Sequence, residues 1–173
     1  QARSQGLHLP VVYNTSGFEK VEVLRALEGL IDIYLPDFKF WTVETARELC
    51  GAENYAAIAR AAIREMHRQV GDLVMDEKGR AVTGVLVRHL IIPGYFEESR
   101  SILTWLARDL SINTYVNLMG HYRPCHLAKD SPPIHRSLSR EEYQTVLQWA
   151  QELGLNRLDA THQKLYELIW RRD

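Results

Sequence analysis

Asp37 and Lys39 stand two residues apart at the end of the apolar run Ile31-Asp32-Ile33-Tyr34-Leu35-Pro36-Asp37-Phe38-Lys39. If this run is a strand, alternation puts Ile33, Leu35, Asp37 and Lys39 on one face, so two apolar residues lead into a carboxylate and an ammonium. Such a pair suits the mouth of a parallel βα barrel, where ligands bind at the C-terminal ends of strands. A solvated ion pair at a strand end is the plainer alternative, and it stabilises little. Three further stretches carry polar residues in the same kind of place. Asn14, Thr15 and Ser16 close the apolar run Leu9–Thr15, where they serve equally well as a helix cap or as ligand contacts. Arg88 sits inside Gly84–Ile92 among Leu86, Leu90 and Ile92, and a guanidinium there needs an anionic partner, either Asp37 or a ligand. Asn117 shares parity with Met119 and His121 at the end of a fourth run. His89 has the opposite parity to Arg88 and is expected to be a packed histidine.

The elements that must position these residues alternate along the chain. Strands are expected over Leu9–Thr15, Ile31–Lys39, Gly84–Ile92 and Thr114–Met119. Helices are expected over about 19–29, over a stretch with Tyr55, Ile58, Ala59, Ala62, Ile63, Met66 and Val70 at intervals of three and four, and over about 97–110. Ser139 with Glu142 three residues on forms a capping box that opens another helix. Thr42 to Glu53 is expected to be a polar loop, Asp76–Arg80 a turn, and Cys125–Leu138, with Pro132-Pro133, a long loop. Leu155–Asp159 is a candidate short final strand, and Leu165, Leu168 and Ile169 sketch a C-terminal helix. The run Gly84–Ile92 is apolar on both faces, which predicts a strand covered from both sides.

Strand and helix in alternation define the α/β class with a parallel sheet. At 173 residues the chain is too short for a closed eight-stranded barrel, which takes about 200 or more. The expectation is an open, partial parallel βα barrel of four consecutive βα units in a single domain over 1–173, with its core at about 7–159 and a tail helix over 160–173. Composition is that of a globular chain, 46% hydrophobic and 25% charged, and a net charge of −1 leaves no electrostatic footprint for nucleic acid. No apolar run is long enough to cross a membrane, so a cytoplasmic setting is expected. Cys50 and Cys125 lie far apart in a spacing that matches no metal site, and no metal ligand is assigned. The N-terminal stretch Gln1–Gly6 lacks a methionine and looks like the end of a helix already under way, which suggests a piece of something longer.

Four stretches, in order, resemble strand-end motifs of the radical S-adenosylmethionine proteins: Leu9-Pro10-Val11-Val12-Tyr13-Asn14-Thr15-Ser16-Gly17, Asp32-Ile33-Tyr34-Leu35-Pro36-Asp37-Phe38-Lys39, Val87-Arg88-His89-Leu90-Ile91-Ile92-Pro93-Gly94 and Tyr115-Val116-Asn117-Leu118-Met119. The group similar to pyruvate formate-lyase activating enzyme is nearest. The resemblance implies that Asn14, Thr15 and Ser16 contact the ribose and methionine part of S-adenosylmethionine, that Asp37 and Lys39 form the family's Asp-x-Lys motif, and that Arg88 is the pocket arginine. It places His121 near the adenine side and Asn117 in the pocket. The C-x-x-x-C-x-x-C motif that holds the family's four-iron four-sulfur cluster is missing from this sequence, as is the glycine-rich motif of the second strand. The expectation is therefore the C-terminal part of an oxidoreductase that cleaves S-adenosylmethionine to a deoxyadenosyl radical, with a glycyl-radical enzyme or another protein substrate as its partner. This piece by itself is expected to be inactive, and its unpaired strand edge either associates with other chains or is covered by the segment Gln1–His8. The alternative class is a truncated, non-catalytic α/β domain that binds a ligand or a partner.

Overall fold

The computed structural model describes residues 3–159 and Tyr166. Strands β1 (Val12–Thr15), β2 (Ile33–Pro36), β4 (Ala81–Leu90) and β5 (Tyr115–Met119) pair in parallel and in chain order, while the two-residue β3 (Val74–Met75) folds back antiparallel on the start of β4. Among the described residues five α-helices accompany them: α1 (Val21–Ala26), α2 (Val43–Cys50), α3 (Tyr55–Val70), α4 (Phe96–Trp105) and α5 (Arg140–Glu152). Helix α4 ends in a π-helical turn over Leu106–Leu110, closed by Ser111 N–H donating to Leu106 C=O. The candidate strand over Leu155–Asp159 reduces to a parallel bridge between Leu158 and Val116. The expected tail helix lies outside the described residues except for Tyr166.

The expected polar loop after β2 is in fact helix α2. Its eight residues are few for an isolated helix, but its N-terminus is tied twice. Thr42 accepts from Thr45 N–H, and the buried Glu98 carboxylate of α4 accepts from the backbone N–H of both Trp41 and Thr42 and from the hydroxyls of Thr42 (2.5 Å) and Thr45 (2.9 Å). Four N-terminal amides of a helix lack intrahelical partners, and a buried carboxylate is well matched to them. At the other end Gly51 takes the left-handed conformation, with φ 68°. The capping box at Ser139 and Glu142 forms as the sequence indicates.

Burial along β4 alternates from Val85 to Ile91, and that alternation defines the two faces of the sheet. Val85, Val87, His89 and Ile91 are buried, whereas Leu86, Arg88 and Leu90 are half-buried. Tyr34, Val85, Val87, Ile91, Val116 and Leu118 join one core cluster with Leu24 of α1, Ile63 and Met66 of α3, Ile102 and Leu103 of α4, and Tyr143 and Val146 of α5. Residues of the other parity, Leu35, Leu86, Leu90 and Met119, take no part in that cluster. The expectation that β4 is covered on both sides therefore fails: among the described residues, the helices lie on one side of the sheet. On the opposite face Asn14 is exposed and Asp37, Lys39 and Arg88 are half-buried, while Ile33 and Asn117 are buried.

Candidate functional site

Register brings the polar residues of separate strands into a row on the open face. Arg88 is paired with Asn117 across β4 and β5 and bridged to Asp37 on its other side, while Asn14 pairs with Leu35 one step back along β2. Residues in register on parallel strands point the same way. The Arg88 guanidinium donates to Asp37 Oδ1 through Nε (2.7 Å) and Nη2 (2.6 Å), and Nη2 also donates to Asn14 Oδ1 at 3.0 Å. Lys39 Nζ meets the other carboxylate oxygen, Asp37 Oδ2, at 2.5 Å. One carboxylate thus faces two cations, and the cluster carries one net positive charge. Its cations keep access to solvent, Lys39 at 34% and Arg88 at 27% side-chain exposure against 16% for Asp37. The ammonium and guanidinium keep further N–H groups for an anionic guest.

The strand ends are fastened by a residue that periodicity alone assigned to a helix core. The Tyr55 hydroxyl, from the first turn of α3, accepts from Lys39 N–H at 3.0 Å and stands 2.9 Å from Ser16 C=O and 3.0 Å from Asp37 C=O, to which it donates. Burial pushes its pKa well above the usual tyrosine value. Gly17 makes this approach of β1 to β2 geometrically feasible. Its φ is +77°, and a Cβ there would drive into the Asp37 carbonyl oxygen.

The other sequence candidates are distributed differently. Thr15 is buried on the opposite side, where its hydroxyl donates to Glu19 Oε1 at 2.6 Å and accepts from Gly17 N–H, so it does not join the open-face row. The helix-cap alternative for Asn14, Thr15 and Ser16 also fails, because α1 starts at Val21 and its cap position, Lys20, makes no side-chain cap bond. Ser16 is exposed, its hydroxyl accepting a long bond of 3.4 Å from Phe18 N–H. Asn117 is buried in the row beside Arg88. His121 lies beyond β5, its Nδ1 2.9 Å from the Tyr166 hydroxyl and its ring stacked on Tyr166, apart from the Arg88 cluster. His89 is fully packed. Its Nδ1 lies 2.7 Å from Phe38 C=O and its Nε2 2.8 Å from Ser99 Oγ, and burial lowers its pKa, so it is the neutral ring that donates to Phe38 and accepts from Ser99.

Tyr55, Glu98 and Glu19 are the positioning residues that pattern reading missed. Only Glu19 left a local signal, as the acid four residues after Thr15 in a strand-to-helix turn. Among the described residues no group of three or more His, Cys, Asp or Glu side chains could hold a metal ion, and both cysteines are exposed in separate parts of the fold. The residues present do not fit an iron–sulfur cluster. They do fit a carboxylate-bearing ligand, since donors from three strands converge on one open face.

Comparison with known proteins gives one informative relative. The chain is 33% identical over 150 residues to Uncharacterized protein MJ0674 of Methanocaldococcus jannaschii, an overlap of 86% of this chain and 40% of that protein. The chain thus spans well under half the length of the relative it matches. No family model matches the sequence, and no solved structure matches it. Among the described residues no helix is long and apolar enough to cross a membrane.

Proposed function

We propose that this chain is the C-terminal part of a radical S-adenosylmethionine protein similar to pyruvate formate-lyase activating enzyme, and that its sheet is a partial βα barrel whose open face receives the cofactor. The observation that carries the reading is the network of Asn14, Arg88, Asp37 and Lys39, drawn from three parallel strands at their C-terminal ends on the side the helices leave bare. Lys39 and Arg88 supply donors for the methionine carboxylate, Asp37 holds both in place, and Asn14 and Ser16 meet hydroxyl groups. Asn117 and His121 border the same ligand further along the sheet. Cluster cysteines have to come from a longer form of the protein. That form cleaves S-adenosylmethionine reductively and abstracts a hydrogen atom, with a glycine of a glycyl-radical enzyme as one candidate target. The short overlap with a longer archaeal relative is compatible with such an origin.

The test is calorimetric titration of S-adenosylmethionine into a form extended upstream from its coding sequence and reconstituted without oxygen. Lys39→Ala should weaken binding about tenfold or more, equivalent to ~1.4 kcal/mol, while Lys20→Ala on the exposed surface before α1 should leave it unchanged. Equal affinities for the two variants remove Lys39 from the site. The 173-residue chain by itself should hold iron and acid-labile sulfide at background levels, and a stoichiometric cluster on it would overturn the truncation reading. Cofactor binding without iron and without cleavage in the extended form would assign the protein to the non-catalytic class.

A further inference from the structure

A second cavity opens at the same end of the sheet as the cationic cluster but on different residues. Its volume is about 260 Å³. One wall is Phe40, which follows β2, with Leu49 of α2; the floor is Ile92, just past β4; the far wall is the segment after β5, with Tyr122 and Ile134. The Tyr122 hydroxyl donates to Ile134 C=O at 2.9 Å, which holds the far wall together. Phe40 belongs to the main core, with Leu49 and Ile92 packed against it, so this side is anchored. Drug-sized ligands occupy roughly 300–1,000 Å³, so this cavity takes something smaller, of the size of a single ring with a short tail.

Two features assign a charge to that guest. Arg123 lines the cavity, is exposed, and has no acidic side chain within ion-pair distance among the described residues. None of the other residues that line it, Phe40, Leu49, Ile92, Tyr122, Cys125, Ala128 and Ile134, carries a carboxylate. An apolar wall that carries Arg123 and no opposing carboxylate disfavours a cationic guest and favours an anion. We propose that this cavity is a binding site for a small aromatic carboxylate, its ring held between Phe40, Ile92 and Tyr122 and its carboxylate drawn to Arg123. The inference goes beyond the cofactor reading and does not require it.

Cys125 also lines the cavity and is exposed, which makes its thiol a reporter, while exposed Cys50 at the end of α2 is not among the lining residues and serves as an internal control. The experiment alkylates the 173-residue chain with iodoacetamide and follows each cysteine by peptide mass spectrometry, with 3-phenylpropionate as the probe. Saturating probe should slow alkylation of Cys125 at least fivefold and leave Cys50 unchanged. Propionate, which lacks the ring, and phenethylamine, which reverses the charge, should protect Cys125 less than twofold. Arg123→Met, on the surface, and Ile134→Trp, which fills the space, should each reduce the protection to less than twofold. Absence of protection, equal protection of both cysteines, protection by phenethylamine equal to that by phenylpropionate, or full protection in Arg123→Met would overturn the proposal. No cofactor or cluster enters this measurement, so its outcome is separate from that of the cofactor titration.

Discussion

Asp37 is the residue on which the open face turns, because it is the one carboxylate shared by Arg88 and Lys39. Replacing it by Asn would leave the two cations facing each other without a counter-charge, and hydrogen bonds to charged groups contribute about 1.5–3 kcal/mol each. With the cluster still partly solvated, Asp37→Asn should lower stability by ~1–3 kcal/mol in urea denaturation, and Arg88→Met in the Asp37→Asn background should recover part of that loss. A double variant less stable than Asp37→Asn alone would show that Arg88 holds the fold through other contacts. His89 makes a prediction of a different kind. Burial holds its folded pKa below the usual 6.5, so in the interval beneath 6.5 the unfolded chain binds a proton that the folded chain refuses. Stability should therefore be present above about pH 6.5 and decline as the pH falls below it. His89→Gln, which keeps one donor and one acceptor toward Phe38 and Ser99, should show a flatter thermal midpoint over pH 5–7.

Among the elements, α3 does the most to tie the layers together. From its C-terminal half, Gln69 accepts from the Tyr34 hydroxyl (2.7 Å) and donates to Leu24 C=O (2.9 Å), so one side chain links α3, β2 and α1. Beside it Glu65 accepts from Arg68 and Gln69, and these bonds, led by Arg68, hold its carboxyl down at about 2, from 4.5. A carboxyl depressed in the folded state stabilises above its unfolded pKa, and the contribution is lost as the pH falls from about 4.5 toward 2. Melting temperatures of Glu65→Gln and the parent should draw apart as the pH rises from about 2 to 4.5 and keep a constant offset above pH 5. At the junction of β1 and β2, Gly17→Ala places a methyl against the Asp37 carbonyl in a left-handed conformation. The cost should be ~2 kcal/mol or more, and displacement of Asp37 should carry over to the cationic cluster.

At the scale of the molecule, the sheet has one bare edge. Among the described residues no strand pairs with β1 on the side away from β2, whereas β5 is bridged by Leu158. Val11 and Thr15 direct their carbonyls to β2, accepting from Ile33 and Asp37, so by alternation the backbone groups of Val12 and Asn14 face outward. Val12 is 52% exposed and Leu9 74% exposed, and such edges recruit other strands. The chain should self-associate with rising concentration in sedimentation velocity, and Val12→Lys should suppress it. A monomer at every concentration accessible to the measurement would mean the edge is protected.

Much of this architecture was legible in the residues because it is periodic and local. Alternation over Ile31–Lys39 and Gly84–Ile92, the three-and-four spacing from Tyr55 to Val70, and the Ser139 capping box each depend on neighbours in sequence, and they determined the parallel α/β order and the parity that aims Asn14, Asp37 and Arg88 the same way. What tertiary structure decided depends on partners far along the chain. Helix α2 has local signals at both ends, the Thr42 cap and Gly51, but its start is also held by Glu98, more than fifty positions away, which accepts from the Thr42 amide and hydroxyl. Tyr55 ties the ends of β1 and β2 together through Ser16 C=O, Asp37 C=O and Lys39 N–H, partners 16 to 39 positions away. The apolar even positions of β4 suggested a second covering layer, but hydrophobicity states only that a face can be covered, not that these helices do so. All five helices contribute buried residues to the other side, and that choice, set by packing rather than by pattern, leaves Arg88, Asp37 and Lys39 accessible.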